Sequence, residues 1–190
     1  MPLDRGESEG IALGRGLCPR SPAPSVLLVT GSRAFEDGDR ASAVAANHAE
    51  ALLDGFILRL APGSVVVVGD CDRGPDRWAR RSAEIARRRL SVWRTDGSRH
   101  DSRPGREADD PWPTRTEVWG EVTGDPRRDP LLRNAAMGVR AAELHRGGHE
   151  VLVLALRAAW SRTNGTAHTW RCARDAGLPG VLMEFSQGGW

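Results

Sequence analysis

From about residue 25 onward the apolar positions fall into two patterns that take turns, short unbroken runs and longer stretches spaced by three and four. The run Val26-Leu27-Leu28-Val29, halted at Gly31, predicts a central parallel strand covered on both faces. Residues 42–60 place Val44, Ala45, Ala49, Leu52, Leu53, Phe56, Ile57 and Leu60 at helical spacing, which predicts an amphipathic helix followed by a turn at Gly63. Four valines over 65–68 predict a second buried strand, 76–89 a helix with Trp78, Ala79, Ile85 and Ala86 inward, and 90–93 a third strand. Helical spacing returns over 131–146 through Leu132, Ala135, Met137, Ala141 and Leu144, and a strand follows over 151–155. A last helix, from about 165 to 176, is stopped by Gly177 and leads into a strand over 181–183.

This alternation predicts an α/β fold, a Rossmann-like three-layer α/β/α sandwich with a mainly parallel sheet of about five or more strands joined by right-handed crossovers. Residues 1–24 lack apolar periodicity and read as a flexible leader, 25–185 as one domain, and 186–190 as a tail. Between 95 and 130 the pattern gives way to Gly, Pro, Asp and Arg, with Trp112 and Trp119 among them. That stretch is longer than most connections and predicts an inserted surface loop or a lid over a bound ligand.

Composition removes several function classes. At 190 residues with 39% hydrophobic and 27% charged, the chain is able to bury one core and stay hydrated. A formal net charge of +2 does not mark a nucleic-acid binder by itself, although all 27 basic residues are arginine, from coding bias or from a use for guanidinium forks. Cys18, Cys71 and Cys172 are scattered and odd in number, which fits a reducing cytoplasm and offers no zinc pair. His48, His100, His145, His149 and His168 lack metal-ligand spacing, so no metal is expected. No apolar run is long enough for a bilayer, so the expectation is a cytoplasmic protein with no membrane partner; a homo-oligomer stays open.

Candidate chemistry sits just past the predicted strands. Gly31-Ser32-Arg33 offers a sharp turn, a hydroxyl and a bidentate cation. Gly69-Asp70 ends a strand while Gly74 and Asp76 open a helix whose free N–H groups suit an anion. Asp70 or Asp76 suits a ribose hydroxyl, and Asp76 suits capping equally well. Ser161, Asn164, Gly165 and Thr166 form a second cradle or an ordinary helix cap, and Arg133-Asn134 adds a cation and an amide toward the same crevice. In a parallel sheet such loops meet at one edge, which points to a phosphate-bearing ligand.

Val29-Thr30-Gly31-Ser32-Arg33, the Gly-Asp-Cys-x-x-Gly-x-Asp pattern of 69–76, Arg133-Asn134-x-x-Met137, and Ser161 through Gly165-Thr166 together resemble the YspA-type branch of the SLOG superfamily over about 25–185. The resemblance implies a Rossmann-like domain that binds or senses a nucleotide or a nucleotide-derived ligand such as ADP-ribose or an NAD-like molecule. Its LOG relatives are phosphoribohydrolases that cut the N-glycosidic bond of nucleoside monophosphates with an arginine and a glutamate. Arg133 stands at the place of that arginine and Gly165-Thr166 at the family's glycine and threonine, whereas Thr169 stands at the place of the glutamate. Binding is therefore implied more directly than cleavage, for which Arg133 and Asp70 are the catalytic candidates. Single-stranded DNA binding, as in the DNA-processing relatives, is the lesser alternative.

Overall fold

The computed structural model describes residues 25–37, 40–102, 115–120, 122–162 and 165–187. The expected leader, most of the tail, Trp112 and Asn164 lie outside them. In chain order the elements are β1 (Ser25–Gly31), a 3-10 turn (Arg33–Glu36), α1 (Arg40–Arg59), β2 (Val65–Gly69), α2 (Pro75–Ile85) and β3 (Arg89–Trp93). Then come β4 (Ser98–Ser102), β5 (Arg115–Val118), α3 (Asp129–Arg146), β6 (Glu150–Ala158), α4 (Gly165–Asp175) and β7 (Gly180–Phe185).

One seven-stranded sheet runs in the order β5-β4-β3-β2-β1-β6-β7. The strands β3, β2, β1, β6 and β7 are parallel, and β4 and β5 are added antiparallel beyond β3. The strand order reverses between β1 and β6, and at such a switch point the loops leaving the two strands part and open a crevice at the carboxyl edge. The predicted Rossmann-like sandwich is the architecture observed.

Residue alternation sorts the core into two halves. Leu27, Val29, Val66, Val68, Leu90, Val92, Leu154 and Leu156 meet Ala49, Leu53 and Ile57 of α1 and Trp78, Ala79 and Ala83 of α2. Val26, Leu28, Val67, Trp93, Val151 and Val153 meet Met137 and Ala141 of α3, Ala173 of α4, and Leu178. The runs 26–29 and 65–68 are apolar at every position because both faces of the sheet are covered there.

Helix boundaries follow local chemistry. Pro75 supplies a fixed φ at the first turn of α2, and Gly177 (φ +72°) ends α4 with Gly177 N donating to Arg174 O and Leu178 N to Ala173 O, the paired bonds of a Schellman cap. Two inward assignments are corrected. Ile85 is 70% exposed because it is the last residue of α2, where the chain turns through Arg87 toward β3, and Val44 is 47% exposed beside the stripe of Ala45, Ala49, Leu53 and Ile57.

Part of the expected insertion is sheet. β4 pairs with β3 from Leu90↔Ser102 to Trp93↔Arg99, and β5 pairs with β4. The strand Ser98–Ser102 carries no apolar alternation; side-chain contacts accompany its pairing, Arg99 bridging Asp101 at 3.0 Å and lying 5.4 Å over the Trp93 ring. Trp119 packs on Trp93 with ring centroids 6.2 Å apart and donates its Nε1–H to Arg94 O at 2.9 Å.

Candidate functional site

The loop after β1 begins where the sheet ends. Ser32 is extended (φ −80°, ψ 130°), so it continues the alternation of Val26, Leu28 and Thr30 toward the α3/α4 face. Its N–H donates to Leu156 O at 3.0 Å, one step beyond the β1–β6 ladder. Its side chain is different: Ser32 is 2% exposed, and its Oγ is buried with no hydrogen-bond partner among the described residues. A hydroxyl in that state costs about 1–3 kcal/mol unless something supplies the missing bond. Arg33 beside it is exposed.

Loops one and two touch. A side chain on Gly31 would collide with the ring of Pro75, and one on Gly74 (φ +65°) would lie 2.8 Å from Ser32 O. The N–H of Gly74, at the start of α2, is already bonded to Glu36 Oε1 at 2.7 Å. Arg77 reaches the same carboxylate at 3.1 Å and Arg73 at 3.7 Å. The positive end of α2 is thus met by a carboxylate of the protein itself, a residue that carried no signal in the sequence.

Gly69 closes β2 and makes room for a charge cluster. Arg133, from the first turns of α3, crosses the carboxyl edge of the sheet to place Nη1 2.5 Å from Asp70 Oδ1 and Nη2 3.9 Å from Asp76 Oδ2. Its Nε and Nη2 also donate to Asn134 Oδ1, at 3.1 and 2.9 Å. A Cβ on Gly69 would sit 2.5 Å from Asp76 Oδ2 and 2.6 Å from Arg133 Cζ. Asp70 Oδ2 accepts from the N–H and hydroxyl of Thr95, at 3.1 and 3.2 Å, which ties the exit of β3 to the cluster. The sequence-expected Asp70, Asp76, Arg133 and Asn134 are brought together, with the guanidinium bonded to protein groups.

Burial governs the acid–base behaviour here. Desolvation raises Asp76 from an ordinary 3.8 to about 6, against the opposing pull of Arg133 and Arg80, with Asp70 adding repulsion. Desolvation also pushes the Cys71 thiol up. Asp129, at the start of α3, is held below its usual range by hydrogen bonds from Thr123 N and Oγ1, at 2.8 and 2.7 Å, which anchor the preceding loop.

The third loop closes the ring. Ser161 N bonds Ala158 O at 2.9 Å, Thr166 is buried on the first turn of α4, and a Cβ on Gly165 would lie 3.9 Å from Asn134 Nδ2. Asn134 therefore stands between the Arg133 cluster and the start of α4. Thr169 is fully buried and its hydroxyl bonds back to Gly165 O at 3.1 Å. Trp160 Nε1 donates to Ala34 O at 2.9 Å and joins loop three to loop one. Phe35 centres a ring cluster with Trp78 at 5.5 Å, Trp160 at 5.9 Å and Phe185 at 5.5 Å, packed on the α1/α2 face. Sequence reasoning missed Glu36, Thr95 and Trp160, each of which takes its role from a distant neighbour.

Among the described residues, no group of three or more His, Cys, Asp or Glu could hold a metal ion, and no helix is long and apolar enough to cross a membrane. His168 Nε2 lies 3.7 Å from Cys172 Sγ, one turn further along α4. No protein-family model matches the chain, and no curated protein matches it.

Proposed function

We propose that this protein binds a nucleotide or nucleotide-derived ligand at the carboxyl edge of its sheet, with the phosphate between Ser32-Arg33 and the first turn of α4 and the ribose beside Asp70. The observation that carries the reading is Ser32, a buried hydroxyl without a partner among the described residues, at the switch point between β1 and β6 and on the face that holds α3 and α4. A phosphate oxygen would supply the absent bond, while Arg33 and the helix N-terminus at Gly165-Thr166 would balance its charge. Glu36 bars the start of α2 from the same role by repulsion, so of the three expected cradles the first and third are favoured. The resemblance to the YspA-type branch of the SLOG superfamily supports the same ligand class.

Binding is preferred over glycosidic cleavage for two reasons. Thr169 brings no carboxylate and turns its hydroxyl to Gly165 O, and Arg133 is bonded to Asp70 and Asn134. Titration calorimetry against AMP, ADP-ribose and NAD tests the reading. Saturable binding is expected, weakened about tenfold or more in Ser32→Ala through loss of a hydrogen bond to a charged group. Absence of saturable heat with all three ligands, or unchanged affinity in Ser32→Ala, would count against it.

A further inference from the structure

We infer that the end of β3 and the turn after β5 form a nucleobase subsite, in which Trp119 stacks on a planar heteroaromatic ring and the Trp93 N–H donates to an acceptor that the ring carries. The inference rests on the nucleotide reading above and extends it from phosphate and ribose to the base.

Sheet register supplies the alignment. Val67 pairs with Leu28 and Gly69 with Trp93, so the ends of β1, β2 and β3 stand side by side at the carboxyl edge. Neighbouring strands are about 4.8 Å apart, which puts the ends of β1 and β3 about 10 Å from each other. Directly paired residues share a face, and Trp93 packs with Leu28 and Val67 on the α3/α4 side, the side that Ser32 faces. Along that rim the chain therefore presents a hydroxyl, a carboxylate and an indole in succession, at Ser32, Asp70 and Trp93. A phosphate, a sugar and a base follow one another in the same order.

Two features of the indoles point to a ligand. Trp93 is 4% exposed, and its Nε1 is buried without a hydrogen-bond partner among the described residues, an unusual state for a buried tryptophan. Trp119 is only half-buried, and it is fixed rather than free: its Nε1 is bonded to Arg94 O and its backbone N to Gly97 O, each at 2.9 Å. A ring held in one orientation stacks on a base at little entropic cost. Thr95, bonded to Asp70, follows Trp93 by two residues and couples the ribose and base positions.

The test compares AMP, GMP, UMP and CMP with ribose 5-phosphate, which lacks the base. At least one nucleotide should bind the wild-type protein about tenfold or more tightly than ribose 5-phosphate. Trp119→Leu, which fills space without a π face, should cost that nucleotide about tenfold and leave ribose 5-phosphate unchanged, while Trp119→Phe retains most of the affinity. Trp93→Phe, which keeps a ring and removes the N–H, should weaken the nucleotide alone. Circular dichroism and thermal melting establish that each variant is folded. Ribose 5-phosphate binding as tightly as every nucleotide, or losing affinity in step with them in Trp119→Leu, would overturn the base subsite and leave the phosphate reading standing. Binding of none of the five, with no saturable heat from ADP-ribose or NAD either, would overturn both.

Discussion

Replacement of Gly69 by alanine is the sharpest test of how the rim is built. The added Cβ would lie 2.5 Å from Asp76 Oδ2, 2.6 Å from Arg133 Cζ and 2.7 Å from Arg133 Nη1, all closer than carbon tolerates. Neither side chain yields easily, since Asp76 and Arg133 are both buried and Arg133 is bonded to Asp70 and Asn134. Overpacking alone costs about 1–3 kcal/mol. Prying a buried cation from its partner costs about 3–5 kcal/mol when complete. Partial displacement then gives a loss of about 2–4 kcal/mol, or roughly 5–15 °C in melting temperature for a chain of this length. Urea and thermal unfolding of wild type and Gly69→Ala read that loss directly. Combining it with Arg133→Met sharpens the test, because removal of the guanidinium relieves two of the three close contacts and leaves only that with Asp76 Oδ2, so Gly69→Ala should cost at least about 1 kcal/mol less. A Gly69→Ala protein within about 0.5 kcal/mol of wild type, or strict additivity with Arg133→Met, would refute the packing argument.

Two more outcomes follow from the charges. Folded Asp76 titrates near 6 against an ordinary 3.8, so the folded chain holds an extra proton between those values and stability falls as pH rises through the window. The fall amounts to about 3 kcal/mol, and Asp76→Asn abolishes it, so the variant's stability relative to wild type should climb from pH 4 to about 6.5 and then level off; a difference independent of pH would contradict the assignment. Glu36→Ala removes the acceptor of Gly74 N and should lower stability by about 1–2 kcal/mol, with Glu36→Gln recovering part of it as a neutral acceptor. Equal melting temperatures for the two variants would show that the bond to Gly74 contributes little.

The layers of the fold were legible because burial on both faces writes itself into the chain. Val65 to Val68 is apolar throughout since each valine meets either α1 and α2 or α3 and α4, and Gly177 marks the end of α4 because its φ is positive. β4 was not legible, for its Ser-Arg-His-Asp-Ser sequence has no alternation and its contacts run to Ser91 and Trp93 on another strand. At the rim the glycines could be read as points of close approach, but not what approaches them. Arg133 lies 63 residues from Asp70, and the filling of the α2 terminus by Glu36 depends on a turn that no local pattern announces.

The Phe35 ring cluster makes the rim mechanically lopsided. On that flank interlocking aromatics and the Trp160–Ala34 bond weld the exits of β1, β6 and β7 into a single block. The opposite flank is held in another way, by Arg133 reaching from α3 to Asp70 and Asp76 and by Met137 and Ala141 packed on the sheet. A change at Phe35, Trp160 or Phe185 should therefore be felt at the exits of all three strands at once rather than at one alone.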